Sequence, residues 1–380
     1  MRILFDARTA TPLYPGVSRY VCCLTDALLR KLAPEDRLIV LVPPNRRLRL
    51  PESRRLIRRR SLIGALSPFG GGHISRQINR GRPDLIHAPF PLTPLITRTP
   101  LVVTVHDFVA LNRPGVGALV TKLAWWTIGR AMLGRASRII AVSQAVADAC
   151  GNRFGPAVAA KIAVVRHGVD PHFRPVSAAE QRVFCERHMI PDRFFLYVGS
   201  DSPHKNIGVL LQMLAASHET AMLPLVIAGL QSDTPERRRE VARLRLEGRV
   251  FWLGEVAEAE MPALYGAARV LLFPSVDEGF GLPMLEAMAC GTPVISSAIP
   301  ALREVGGRAV CTVHPLDAVE WRKAAYLMVA SHDWHEQARQ RGLARASEFT
   351  WGRAADETIA VYRACLGRSV RQGGLACSAP

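Results

Sequence analysis

Short apolar runs recur along the chain, each followed by a turn and then by a stretch with helical spacing. They fall at 2–5, Leu38–Val42, Asp84–His87, Leu101–Val105, Arg138–Val142 and Ile162–Val165 in the first half. In the second half they fall at Phe194–Val198, Leu225–Ala228, Val250–Leu253, Val270–Phe273 and Val294–Ser296. Continuous rather than alternating hydrophobicity predicts strands covered on both faces, and strands that alternate with helices predict parallel sheets. The two groups are separated by His167-Gly-Val-Asp-Pro-His-Phe-Arg-Pro175, where glycine and two prolines end the regular pattern. A chain of 380 residues is too long for one ordinary core. An α/β protein of two sheets follows, with domains at 1–175 and 176–351, helices from Leu316 to about Glu348, a last helix over Trp351–Leu366 and a disordered tail at 369–380. Between the second and third runs no pattern continues, and 43–83 reads as one long mobile loop. The segment Leu119–Leu133 reads as a core helix, with contact to a membrane as its alternative.

Composition narrows the classes. Apolar residues make up 49% of the chain, yet no run reaches the ~18 residues of a membrane span. The start, Met1-Arg-Ile-Leu-Phe-Asp-Ala-Arg8, is too short and too charged for a signal peptide, so a cytoplasmic protein is expected. Eight cysteines are scattered without zinc-site spacing or disulfide density and read as reduced, mostly buried thiols. The net charge of +17 calls for an anionic partner, unless codon usage alone explains it, since only five of the 49 basic residues are lysine. Arg46–Arg60, where eight of fifteen residues are arginine, suits an anionic membrane surface or a polyanion. It has no interleaved aromatics, so nucleic acid is not expected.

The densest chemistry lies in Phe273-Pro-Ser-Val-Asp-Glu-Gly-Phe-Gly-Leu-Pro-Met-Leu-Glu-Ala-Met-Ala-Cys-Gly-Thr-Pro-Val-Ile-Ser-Ser297. It reads as a strand end, a glycine turn, a helix opened by Pro283 at its first position and a second strand beginning near Thr292. Gly279 and Gly281 let backbone approach a ligand, and the helix start behind them offers free N–H groups suited to phosphate. Glu286, about one turn in, is placed to accept hydrogen bonds from sugar hydroxyls, and Glu278 stands in the turn itself. The alternative is two solvated charges. Elsewhere, Gly16 begins a second strand–glycine–helix edge, His106 ends a parallel strand, where ligand crevices form, and Lys205 precedes a helix. For each of these a purely structural role is the competing reading. No Asp-x-Asp occurs in the chain.

The phrase EGFGLPMLEAMACGTPVIS resembles the Glu-x7-Glu signature of glycosyltransferase family 4, retaining enzymes of GT-B architecture with two Rossmann-like domains facing a cleft. Within the family the chain is most similar to the bacterial mannosyltransferase-like branch that builds O-antigen and other surface polysaccharides. The resemblance implies that Glu278 contacts the donor sugar and Glu286 the nucleotide ribose, with Gly279, Phe280, Gly281 and Leu282 completing the donor loop. It extends to Gly16-Val-Ser-Arg-Tyr20, where it brings Gly16 near the donor diphosphate, and to His106-Asp107, with His106 near the sugar. It also covers Pro203-His204-Lys205-Asn206, where the family has Arg before Lys; Lys205 is implied on the diphosphate, with the weaker His204 beside it. Ser143 matches a helix start and is given a capping role; His167 stands where the family has Asn and is given none. The last helix, 352–368, is implied to cross back to the first domain. The function implied is metal-independent retaining transfer of a hexose, mannose from GDP-mannose first, to a lipid-linked or growing polysaccharide acceptor, on the cytoplasmic side of a membrane. Two alternatives stay open: a nucleotide-sugar hydrolase or epimerase of the same architecture, and a catalytically weak polyanion- or sugar-binding protein.

Overall fold

The computed structural model describes residues 1–367 apart from 12–13, 44–47, 49, 62–63, 65–77, 79–80, 94–96, 113–115, 217–221 and 230–232. Arg46, Arg47 and Arg49, Phe69–His73 and the tail 369–380 lie outside the described residues.

Two parallel sheets, of seven and six strands, carry the architecture. The first contains β1 (Arg2–Asp6), β2 (Arg37–Val42), β3 (Leu56–Arg60), β4 (Leu85–Ala88), β5 (Leu101–Val105), β6 (Arg138–Ala141) and β7 (Ile162–Val164), in the order β3-β2-β1-β4-β5-β6-β7. The second contains β8 (Phe195–Val198), β9 (Leu225–Ala228), β10 (Val250–Gly254), β11 (Val270–Phe273), β12 (Val294–Ser297) and β13 (Cys311–Val313), in the order β10-β9-β8-β11-β12-β13. Central strands such as β4, β5, β9 and β11 are buried along their whole length, because helices cover both faces. In each sheet the strand order reverses once, between β1 and β4 and between β8 and β11. At such a switch point the connections leave to opposite faces and open a crevice at the carboxyl ends of the strands.

Two strands escape the hydrophobic pattern, and one corrects the reading of 43–83 as a single loop. β3 pairs in register with β2 from Leu38↔Leu56 to Val42↔Arg60. It is an edge strand with Arg58 and Arg60 exposed and Arg59 partly buried, so it tolerates three arginines. Its neighbourhood also puts part of the arginine cluster to internal use. Arg55 donates to the carbonyl oxygens of Leu32 (2.8 Å) and Ala33 (3.3 Å) beyond the end of helix Pro15–Lys31, and Arg58 donates to that of Leu50 (2.7 Å). The other unforeseen strand, β13, is short and only partly buried.

The segment after β5 differs from a simple core helix. It is helical from Val116 to Ala124, widens by one residue per turn over Trp125–Gly129, and continues to Arg135. Trp125 is buried, but Leu119, Val120, Leu123 and Trp126 stand 48–73% exposed.

The chain passes between the sheets twice. It leaves the first after β7 and returns near residue 350, where Val169 N–H donates to the Phe349 carbonyl (3.0 Å). Gly168 sits where a Cβ would lie 2.1 Å from the Trp351 nitrogen, so only glycine allows the two backbones this close. Helix Trp351–Cys365 then lies on helix Pro15–Lys31, tied by Lys31–Asp356 (2.8 Å). Its Tyr362 hydroxyl reaches His87 Nδ1 in β4 (2.6 Å). Among the described residues no helix is long and apolar enough to cross a membrane.

Candidate active site

The carboxyl ends of β8 and β11 deliver two loops to the switch point of the second sheet. After β8 comes the turn Pro203–Lys205, fixed by Asn206, whose left-handed backbone (φ 54°) closes it. The Asn206 side chain donates to the Pro274 (3.3 Å) and Pro315 (2.7 Å) carbonyls, and Val276 N–H donates to the His204 carbonyl (2.8 Å). These bonds strap the turn onto the loop that leaves β11. Lys205 Nζ consequently lies 2.5 Å from Glu278 Oε1, which also accepts from Ser275 Oγ (3.0 Å), and the ammonium stands 5.3 Å from the Phe273 ring centre.

Gly281, at φ 95°, turns the chain into helix Leu282–Ala289, so Pro283 is its second residue rather than its first. A side chain at Gly281 would also meet Leu302 at 2.6 Å. Glu286, inside this helix, is 3% exposed. Its Oε2 accepts from the Tyr265 hydroxyl (2.9 Å), and its Oε1 is paired with Arg19 of the other domain, which also reaches Glu258 (3.2 Å). Burial disfavours the Arg19 charge, but Glu286 and then Glu258 outweigh it, and its pKa rises above the ordinary value.

The first sheet brings its own loops to the same place. Gly279 lies against the backbone that follows β5: a Cβ there would be 1.7 Å from the His106 carbonyl oxygen and 3.1 Å from Asp107 Cβ. Ser143 Oγ donates to the Gly279 carbonyl (2.7 Å) while accepting from Val146 N–H (3.2 Å), so the cap at this helix start also ties the two domains together. Asn112 donates to Asp277 (2.6 Å), and Glu304 receives both Arg166 (2.7 Å) and Ala145 N–H (3.1 Å). The cleft is therefore closed around the glycine loop.

Behind that loop lies an aromatic cluster. His106 stacks on His167 with ring centres 5.4 Å apart, Phe280 meets His167 at 4.8 Å, and Tyr20 meets His106 at 4.8 Å. Burial lowers the His106 pKa to about 4, against a hydrogen bond to the Pro89 carbonyl that raises it. Burial, and then His106, also carries His167 well below the usual imidazole range, and burial with His106 lowers His87 to about 3. All three are neutral at pH 7. His106 Nε2 has no hydrogen-bond partner among the described residues. Asp107 moves the other way: burial, then the charge of Glu278, raises it to about 6.

The residues singled out in the sequence thus gather at one cleft, with two qualifications. Gly16 is the second residue of helix Pro15–Lys31, not part of a preceding turn, and the space where its Cβ would stand is open. Lys205 and Glu278 are paired with each other. Leu282 is the first residue of its helix and is half-buried, and Phe280 is buried. Sequence reasoning missed Arg19, Tyr265, Asp107, Ser143 as a cross-domain donor, and His167. Arg19 stands within the Gly16–Tyr20 motif, three residues and so one helical face from Gly16, a signal that was legible. Nothing in the pattern marks Tyr265. Among the described residues no group of three or more His, Cys, Asp or Glu is arranged to hold a metal ion.

The sequence and the fold are matched by known proteins. The Glycosyltransferase Family 4 model matches residues 15–173 and the Glycosyl transferases group 1 model residues 186–321. O-antigen chain mannosyltransferase B of Escherichia coli is 34% identical over 53% of this chain and 54% of its own length. O-antigen chain mannosyltransferase RfbU of Salmonella typhimurium is 29% identical over 58% and 59%. The chain thus spans little more than half the length of these curated relatives. Among solved structures, sucrose-phosphate synthase from Thermosynechococcus elongatus superposes with a TM-score of 0.76 at 22% identity, over 97% of this chain and 100% of that one. Anabaena Alr3699/HepE in complex with UDP gives 0.73 at 20%, over 96% and 100%. The likeness is one of fold, the GT-B pair of facing parallel-sheet domains. With a Glycosyltransferase Family 4 domain on one side of the cleft and a Glycosyl transferases group 1 domain on the other, the chain carries the two domains of a glycosyltransferase.

Proposed function

We propose that the protein transfers a hexose, with mannose from GDP-mannose as the first candidate, from a nucleotide sugar to a lipid-linked or growing surface-polysaccharide acceptor, with retention and without a metal. The carrying observation is the pair of carboxylates after β11, each matched by a cation, beside a neutral histidine in one closed cleft. Glu278 and Glu286 supply acceptors for sugar and ribose hydroxyls, and Gly279, Phe280, Gly281 and Leu282 shape the loop over the diphosphate. His106 Nε2, buried and unpartnered among the described residues, is suited to a sugar hydroxyl. As the anomeric C–O bond breaks, its electron pair goes to the diphosphate oxygen. The acceptor hydroxyl bonds to the same face of the anomeric carbon, and its proton passes to the departing phosphate. Lys205 and the N–H groups of helix Leu282–Ala289 lower the energy of that step, because the negative charge they face grows as the bond breaks.

The names of the relatives favour mannose, and the UDP complexes of structural neighbours make UDP the rival nucleotide. A membrane-borne acceptor is supported by the exposed face of Leu119, Val120, Leu123 and Trp126, since no acidic residue occurs between Asp107 and Asp148. The arginines of the 46–60 cluster add to the same charge.

The test is thermal stabilisation by GDP, UDP and ADP with a chelator present, beside Glu286→Ala. A shift of several degrees with GDP alone, lost in the variant, is the expected result. No shift with any nucleotide would turn the reading towards a polyanion-binding protein.

A further inference from the structure

Glu286 is buried, and among the described residues its own domain gives it only the neutral hydroxyl of Tyr265. A carboxylate in that setting needs a countercharge. It comes from the opposite domain: Arg19, the fifth residue of helix Pro15–Lys31, places Nη1 on Glu286 Oε1 and Nη2 3.2 Å from Glu258, with its guanidinium 5.3 Å from the Phe173 ring centre. The Arg19 side chain is 27% exposed against 4% for Glu286, so a ligand entering the cleft meets the cation first. Three residues earlier on the same helical face stands Gly16, with open space beside it. One helical turn therefore presents a guanidinium and an uncrowded stretch of backbone together, at the edge of the site where the second domain offers Glu286.

We infer that Arg19 is a positioning residue for the donor, supplied by the N-terminal domain: it moves from Glu286 to the diphosphate when ribose hydroxyls occupy that carboxylate. The inference rests on the donor-site reading given above and adds to it the source of a second cation. Two hydroxyls of a ribose satisfy the lone pairs of Glu286 but bring no charge, so the arginine has to stay near while its hydrogen bonds become available. A diphosphate beside it offers paired oxygens, which a guanidinium contacts two at a time. The same arginine bridges the domains through Glu286 and Glu258. Lys205, held by Glu278 in its own domain, and Arg19, held by Glu286 across the cleft, would then flank the leaving group from opposite sides.

The test compares Arg19→Gln and Arg19→Lys with the unaltered chain by titration calorimetry, using the nucleoside and the nucleoside diphosphate of whichever base the protein prefers. Arg19→Gln should weaken the diphosphate by about tenfold or more, the range of one charged hydrogen bond, and leave the nucleoside within about twofold. Arg19→Lys should recover part of the diphosphate affinity, and donor KM should follow the same order. Equal loss of nucleoside and diphosphate in Arg19→Gln would make the residue a domain latch only and overturn the inference. So would unchanged diphosphate binding. Arg19→Lys, which keeps the charge on Glu286, serves as the folded control if Arg19→Gln melts early, and a lysine variant equal to the unaltered chain would refute the need for a fork. If the unaltered chain binds no nucleotide, the donor-site reading itself fails, a result distinct from a normal wild type with an indifferent Arg19 variant.

Discussion

Glu278 and Glu286 lie eight residues apart in one segment, and each is neutralised by a cation, yet the two pairs are built differently. Glu278 takes its lysine from the same domain, through a turn strapped to its own loop by Asn206 and the His204 carbonyl. Its geometry is fixed by local folding and persists however the domains are arranged. Glu286 takes its arginine from across the cleft and has it only while the cleft is closed. Opening would take that countercharge away and leave the Glu286 carboxylate, among the described residues, with the Tyr265 hydroxyl as its partner, a change that costs free energy. The first pair is a property of a domain. The second is a property of the assembled molecule.

The widest separation between the two pairs is expected from Lys205→Ala. Removing the ammonium from the proposed leaving group should lower kcat/KM for transfer by about a thousandfold, near 4 kcal/mol at the barrier, while the Arg19 bridge stays formed. Transfer above a tenth of the normal rate would reduce Lys205–Glu278 to a structural pair.

Gly279→Ala attacks the other side of the comparison. Its new methyl group would occupy the place of the His106 carbonyl oxygen, at 1.7 Å, so the closed arrangement is denied while each domain keeps its own contacts. A fall in kcat/KM of about a hundredfold, together with a larger radius of gyration in solution scattering, is the expected outcome. An unchanged radius would mean that the loop yields by itself.

A smaller effect should come from acid. His87, His106 and His167 all have folded-state pKa values below the unfolded value of 6.5, with His106 near 4 and His87 near 3. Their contribution to stability is complete above pH 6.5. It is lost as pH falls towards the folded values, because the unfolded chain binds protons that the native state refuses. Each histidine contributes a slope of up to about 1.4 kcal/mol per pH unit in that window. Asp107, raised from 3.8 to about 6, opposes them between those two values, since there the native state holds the extra proton. His167→Asn should therefore flatten the dependence of the unfolding free energy on pH between 6.5 and 4. The loss should first weaken the contact of His167 with Phe280, which spans the two domains. A slope equal to that of the unaltered chain would show that His167 already titrates normally.

The contrast also explains what the sequence could reveal. Strands with both faces covered, such as β5, β9 and β11, announce themselves as unbroken apolar runs. β3 does not, because its signal is pairing with β2, a long-range event, and an edge strand can carry Arg58, Arg59 and Arg60 without cost to the core. The C-terminal half of the candidate site was legible, since Glu278, Gly279, Gly281 and Glu286 are local in sequence and glycine is required by backbone geometry at φ 95° and at the 1.7 Å contact. The N-terminal half was only partly so. His106 and Gly16 stand out at strand and helix ends, but the Arg19–Glu286 pair joins residues 267 apart, and neither residue alone announces the other. His167 was passed over because its neighbours in space, His106, Phe280 and Trp351, come from three separate parts of the chain.

The side-by-side crossing near residues 168 and 350 has a mechanical consequence. A single strand between two bodies is a swivel that leaves three rotations free. Two backbones joined by the Val169–Phe349 hydrogen bond, and brought together by the absence of a side chain at Gly168, form a flat strap instead. A strap bends readily about the axis across its width and resists twist and sideways shear. Such a strap would confine opening and closure to one arc, like the jaws of a clamp, and would bring Arg19 back to Glu286 without a search.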